Sequence, residues 1–273
     1  MGDLYSTITD FDTLYQAFLT ARKGKRYRPE VVRFTHNLEE NLIDIHNRLM
    51  WGAWEPSPPR EFVIMEPKMR YIQAPPFADR VVQHALVDTA EPLFDRRFIN
   101  HSYACRTGRG THAAVANLQK MMRKAQGQWG EVWAVQADVK SFFASISHAV
   151  ALDAIAKVID CPRTISLFAT ILAGYGHDSG YGLPVGALTS QLGANITLDI
   201  IDHRMTDMHG AGRYLRYMDD IIILAPTKEQ AHELLELLRL EIEAIHLRLN
   251  PKSRVLPARC GIDWCGYRTW ATH

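Results

Sequence analysis

Tyr214-Leu215-Arg216-Tyr217-Met218-Asp219-Asp220-Ile221-Ile222-Ile223-Leu224-Ala225 is the stretch on which the reading of this chain turns. Tyr214–Tyr217 and Ile221–Ala225 read as two apolar strands, so the acidic pair between them sits at the tip of a hairpin. Adjacent aspartates repel each other, and a turn of Asn-Gly would carry no such penalty. A divalent cation removes it. Hard oxygen ligands suit Mg²⁺, which keeps several waters and is held by a couple of carboxylates plus substrate phosphates. Taken alone, an Asp-Asp pair is more simply a solvated turn.

The flanking sequence makes it more than that. Upstream, Val132-Trp133-Ala134-Val135-Gln136-Ala137-Asp138 is a strand ending on a carboxylate, and His148–Ile159 has a helical pattern. A long helix is expected over Gly186–Met208, set off by Gly176, Gly180, Gly182 and Pro184. Downstream, Lys228–Leu249 is amphipathic, with Leu234, Leu235, Leu238, Ile242, Ile245 and Leu249 on one stripe, and strands follow at Arg254–Leu256 and Ile262–Thr269. Without the long helix the order is strand, helix, strand, strand, helix, strand, the split βαβ pattern of an α+β protein. In that order Asp138 ends the strand beside the hairpin, and three carboxylates share one sheet edge. Such an edge suits two-metal phosphoryl transfer, with ions about 3.5–4 Å apart.

The first half is less sharply patterned. Residues 9–21 and 36–50 carry helical periodicity around the basic run Arg22-Lys23-Gly24-Lys25-Arg26-Tyr27-Arg28, which reads as a solvated loop or a phosphate contact. Glu61–Ile72 is a hairpin broken at Pro67, Asp79–Phe94 a helix, Tyr103–His112 a Gly/Arg loop, and Ala113–Ala125 a further helical stretch.

Composition removes several classes. With 273 residues, 47% of them hydrophobic and 22% charged, the chain is neither disordered nor collagen-like. The four cysteines lack metal or disulfide spacing and are expected to be buried thiols. No apolar run is long enough to span a bilayer, so no membrane partner and a cytoplasmic location are expected. The net charge of +1 hides a split: residues 60–124 carry +5 and residues 125–273 carry −3. The basic segment holds Lys68, Arg70, Arg106 and Arg109, and the acidic one holds all three carboxylates.

Tyr217-Met218-Asp219-Asp220, together with Ala137-Asp138-Val139-Lys140-Ser141-Phe142-Phe143, Tyr103–Gly110, Lys252 and Trp264-Cys265-Gly266-Tyr267, resembles the reverse transcriptases over nearly the whole chain. The resemblance implies a right-hand polymerase fold: fingers in residues 1–130, a catalytic palm in 131–257 that includes a fingers/palm helical region at 161–212, and a primer-grip hairpin in 258–273. A thumb is absent or truncated, which implies weak processivity and an accessory protein that helps grip nucleic acid. At the start of the long helix Val185-Gly186-Ala187-Leu188-Thr189-Ser190-Gln191 departs from the Ser-Pro form and is similar to the enzymes of diversity-generating retroelements, which copy a template RNA with errors at adenines.

Roles follow from the resemblance. Asp138, Asp219 and Asp220, with the Val139 carbonyl, would hold two Mg²⁺ ions, for which Mn²⁺ can substitute. Lys68 and Arg70, on one strand face, would grip the deoxynucleoside triphosphate. Lys140, Ser141, Phe142 and Phe143 would line the nucleotide site, with Phe143 excluding a 2′-hydroxyl and Phe142 alternatively a core ring. Gln191 would face the templating base, and Lys252 either protonates pyrophosphate or is a surface charge. Arg106, Arg109, Val185, Gly186, Tyr217, Met218, Trp264 and Gly266 would meet the RNA template and the DNA or RNA primer. His148, Asp199 and Asp202 read as structural, the last two on the polar face of a helix. An antiviral polymerase, a group II intron-like enzyme and an inactive RNA-binding scaffold are the competing readings.

Overall fold

The computed structural model describes residues 3–65, 69–175 and 180–272. In chain order the elements are α1 (Leu4–Thr9), α2 (Phe11–Ala21), α3 (Pro29–His36), α4 (Leu38–Met50), β1 (Arg60–Ile64), β2 (Arg70–Ala74), α5 (Phe77–Asp95), α6 (Thr111–Trp129), β3 (Trp133–Asp138), α7 (Phe142–Ser145), α8 (His148–Ala156), α9 (Pro162–Tyr175), α10 (Leu188–His203), β4 (Tyr214–Tyr217), β5 (Asp220–Ala225), α11 (Lys228–Ala244), β6 (Arg254–Pro257), β7 (Ile262–Trp264) and β8 (Tyr267–Thr269). They group into two compact units, one from residues 1–96 and 147–193, the other from 97–146 and 194–273. Each unit therefore combines two separated stretches, where the sequence reading laid its segments end to end.

In the first unit local chemistry starts the helices. The Asp10 carboxylate accepts from the amides of Asp12 and Thr13, capping α2, and Pro29 opens α3 where its missing N–H is harmless. The α2, α3 and α5 faces meet at Phe18, Phe34 and Phe77, with ring centroids 5.1–6.1 Å apart. α9 lies within the helical region expected at 161–212 and belongs to this unit, with Thr164, Leu167, Phe168, Ile171 and Leu172 buried at helical spacing. The β1–β2 hairpin pairs Arg60 with Ala74 through to Ile64 with Arg70, and β1 is exposed along its whole length.

In the second unit four antiparallel strands lie in the order β4-β5-β3-β6, the split βαβ sheet that the element order implies. β3 is interior, and α11 packs against β3, β5 and β6. Ile221–Ala225 of β5 are all buried, which explains why that strand reads as a continuous apolar run. α6, within the segment expected to be fingers, packs on β4, β5 and β8 of this unit. Two helices end earlier than expected. α10 stops at His203 and continues through Arg204–Met208 as a π-helical turn, while α11 stops at Ala244. Beyond it His246 takes a left-handed φ of 62°, and Ile245 and Leu249 stay buried from a loop. The cysteines also differ from expectation: Cys161 is buried, but Cys105 and Cys260 are exposed.

Two consequences can be measured. Gly261 has φ 81° and ψ 144°, a region almost confined to glycine, and a Cβ there would lie 2.7 Å from the Trp270 ring. Gly261→Ala is expected to lose about 2 kcal/mol in urea unfolding; no loss would contradict this packing. Asp199 is pushed up to about 6, first by burial and then by the Asp202 charge, with His203, Arg216 and Arg97 pulling the other way. A raised carboxylate binds more protons folded than unfolded, so its contribution to stability falls as pH rises from about 4 to 6. Subtracting the Asp199→Asn curve from wild type should isolate that decline, and parallel curves would refute it.

Candidate active site

The β3–β5 register sets Asp138 directly across from Asp220, and the β4–β5 register sets Tyr217 across from the same residue. A two-residue turn, Met218-Asp219, is left to join β4 to β5. Met218 takes a left-handed φ of 53°, which a side chain with a Cβ adopts at a cost of about 1–2 kcal/mol. Asp219 is half-buried and Asp220 exposed. Asp138 is steadied from the loop after α11: Asn250 donates its amide N–H to the Asp138 carbonyl at 2.8 Å and its side-chain Nδ2 to Asp138 Oδ2 at 3.1 Å. The Lys140 amide donates to the Arg248 carbonyl at 2.8 Å, so paired backbone brackets Val139 on both sides.

Behind the turn lies a buried polar network that the sequence reading missed. Arg216, wholly buried, donates from Nε to Asp202 Oδ1 and Oδ2 at 2.7 and 2.9 Å and from Nη2 to Oδ2 at 2.7 Å. Its Nη1 donates to Asn195 Oδ1 at 3.0 Å and to the Met218 carbonyl at 3.2 Å. Tyr214 donates its hydroxyl to Asp202 Oδ1 at 2.8 Å. Asp202, read as a polar helix face, is therefore a fully buried counter-ion. The Tyr214 hydroxyl is held well above the usual phenol range, by burial first and then by the Asp202 charge.

Other expected positions fall variously. Phe142 is buried and Phe143 half-buried, their rings 5.4 Å apart, and Ser141 opens α7 with φ 48°. Lys140, Ser141 and Lys252 are exposed. Arg109 donates to the Asn100 carbonyl, and the Tyr217 hydroxyl lies 3.2 Å from Thr111 Oγ1. Trp264 and Arg106 need correcting as nucleic-acid contacts. Trp264 is buried, edge-on to Tyr103 and Tyr217, and Arg106 is buried, donating to the carbonyls of Ile99 and Ser102 with its guanidinium over Phe98. Both are large groups that the core of the second unit absorbs. Cys265 and Gly266 both take positive φ, forming the two-residue turn of the β7–β8 hairpin. Burial, then the Asp220 charge, pushes the Cys265 thiol up to about 12.

In the first unit the Val185 carbonyl accepts from the Gln73 amide at 3.1 Å. Gly186 has φ 119°, and a Cβ there would meet Ile72 at 3.2 Å. Gln191 is exposed in the first turn of α10, whose Leu188 amide is capped by Gln83 Oε1 at 3.2 Å. Lys68 and the Arg70 side chain lie outside the described residues.

Among the described residues no three His, Cys, Asp or Glu side chains already stand close enough together to hold a metal ion. The register makes Asp138 and the Asp219-Asp220 turn neighbours. The donor chemistry nevertheless fits Mg²⁺: the groups at this edge are hard oxygens, and Asp138 is oriented by a neighbouring amide.

Comparison with known proteins agrees with this geometry. Over 273 aligned residues the chain is 25% identical to protein YkfC of Escherichia coli K12, covering 85% of this chain and 71% of that one. It is 28% identical to the group II intron-encoded protein LtrA of Lactococcus lactis over 60% of this chain, but only 28% of LtrA. The fold matches apo telomerase from Candida tropicalis with a TM-score of 0.57 at 10% identity, over 78% of this chain and 47% of that one. No helix of the described residues is long and apolar enough to cross a membrane. The family model described as reverse transcriptase (RNA-dependent DNA polymerase) matches residues 61–268, and the chain belongs to that family.

Proposed function

We propose that this chain extends a DNA or RNA primer along an RNA template using deoxynucleoside triphosphates. The observation that carries the reading is the pairing of Asp138 with Asp220 beside the Met218-Asp219 turn, in a chain of the reverse transcriptase family. Asp138, Asp219 and Asp220 would hold two Mg²⁺ ions, with the Val139 carbonyl as a further ligand. What bound Mg²⁺ supplies is activation of the attacking 3′-oxygen and neutralisation of charge on the departing pyrophosphate. Asn250 keeps the Asp138 carboxylate aimed. Lys68 and Arg70 take the triphosphate, and half-buried Phe143 packs under the sugar, where a 2′-hydroxyl finds no room. Lys252, exposed, either protonates the departing pyrophosphate or is a surface charge. An accessory protein assists in gripping the duplex.

Within the family, Ser190-Gln191 supports an adenine-mutagenic enzyme of the diversity-generating retroelement type. The similarity to LtrA favours a group II intron-like enzyme as the second reading. Gln191 separates them, because a flexible amide in place of a ring-locked proline alters both the start of α10 and the donors near a template base.

Primer extension on RNA with Mg²⁺ should give cDNA, and Asp219→Asn should lower its rate by at least about a hundredfold. Equal rates would sink the polymerase reading. Sequencing the products of wild type and Gln191→Pro should show adenine-directed errors falling in the variant with little loss of extension. An unchanged error spectrum, or none directed at adenine in the wild type, would favour the intron-like reading.

A further inference from the structure

We infer that Arg216 is a positioning residue: clamped by Asp202 and Asn195, it holds the Met218 carbonyl and so sets the aim of the Asp219-Asp220 turn. The inference deepens the polymerase reading and rests on it for the identity of the reaction, though the clamp itself can be observed without any reaction.

Three features support it. The first is where each guanidinium N–H goes. Nε and Nη2 are taken by the Asp202 carboxylate, which leaves Nη1 to divide between Asn195 Oδ1 and the Met218 carbonyl. The orientation of Asn195 is not arbitrary, because its Nδ2 donates to the Ala104 carbonyl at 2.9 Å, turning Oδ1 toward Arg216. A planar fork held along two edges has no freedom to swing, so Nη1 meets the Met218 carbonyl from a set direction.

The second is the backbone that the fork addresses. Met218 sits in the left-handed region, a conformation that persists only where its surroundings over-determine it. Its carbonyl belongs to the peptide joining it to Asp219, so fixing that oxygen fixes the plane from which the Asp219 side chain departs. Arg216 is itself immobile. Its amide donates to the His101 carbonyl at 2.9 Å, its carbonyl accepts from the Tyr103 amide at 3.0 Å, and β5 pairs on the other side.

The third is energetic. A buried Arg–Asp pair contributes little net stability, since the desolvation of two charges roughly offsets their attraction, and apolar residues of similar volume often do as well or better. Apolar residues cannot supply a directed N–H to a turn carbonyl. Geometry is therefore what the pair provides here, and the expected phenotype is loss of aim without loss of fold.

That difference decides the experiment. The triple variant Tyr214→Phe, Asp202→Leu, Arg216→Met removes both charges and the hydroxyl together, so no buried charge is left bare and Asn195 Oδ1 is the buried side-chain acceptor that loses its donor. It should unfold near the wild-type temperature. In metal-free protein, amide hydrogen exchange over residues 218–221 should quicken by about tenfold while β3 and the rest of β5 are unchanged. In primer extension, the Mg²⁺ concentration for half-maximal rate should rise and kcat fall, each by about tenfold, with KM for primer–template unaltered. A stable variant with wild-type exchange at the turn, or with wild-type kcat and Mg²⁺ dependence, overturns the inference. If the triple variant does not fold, Asn195→Ala leaves the Arg216–Asp202 pair in place and should still quicken exchange at the turn by about threefold; wild-type exchange there overturns the inference equally. A wild-type chain that extends no primer would defeat the polymerase reading alone, because the exchange measurement still judges the clamp.

Discussion

Negative charge gathered at one sheet edge is the constraint to which the rest of the second unit answers. Carboxylates left to themselves spread apart, so keeping Asp138, Asp219 and Asp220 along one sheet edge requires a backbone that does not yield. The six-residue pairing of β3 with β5 supplies it, from Trp133 opposite Ala225 to Asp138 opposite Asp220. β3 is also paired with β6 and covered by α11, so its end cannot drift. A slip of one residue would exchange apolar residues between two buried faces of β5 but would carry Asp220 away from Asp138, so the register is what places the acidic edge.

Much of this was legible before the fold was seen, because the features concerned are local. Asp219-Asp220 between apolar strands, Asp138 at a strand end and the split βαβ order each lie within a short window, and together they place the acidic edge. The Arg216–Asp202–Tyr214–Asn195 network was not legible, since its members lie up to 21 positions apart and meet only when β4 packs on α10. Asp202 and Asp199 recur at helical spacing with polar neighbours, a pattern shared by solvated faces and by buried counter-ions alike. Asn250 was hidden for the same reason: nothing in a loop asparagine announces that it will cap a distant carboxylate.

Trp264 and Arg106 failed in the opposite direction. Stacking on a base and packing edge-on against Tyr103 call for the same indole, and gripping a phosphate and satisfying the carbonyls of Ile99 and Ser102 call for the same guanidinium. Residue type reports what a side chain can bind and says nothing of whether solvent reaches it. Where a motif resemblance rests on an aromatic or an arginine, burial has to be known before a ligand contact is assigned. Carboxylates are safer in this respect, because an unpaired buried Asp is so costly that the reading as a site or as an ion pair covers nearly every case.

The two units also distribute burial in a way that bears on function. The acidic edge stands on a sheet whose strands are buried in long runs, whereas Phe62, Val63, Ile64, Met65, Met69 and Tyr71 of the β1–β2 hairpin are all substantially exposed. A two-stranded ribbon with apolar side chains in water gains little from its own packing. Exposed apolar surface of that kind is usually covered by something else when the protein works. Chemistry that depends on sub-ångström placement belongs on the buried sheet, and contacts that must form and release at every nucleotide belong on the ribbon. The proposed roles, metal binding at Asp138, Asp219 and Asp220 and triphosphate contacts at the hairpin, follow that division.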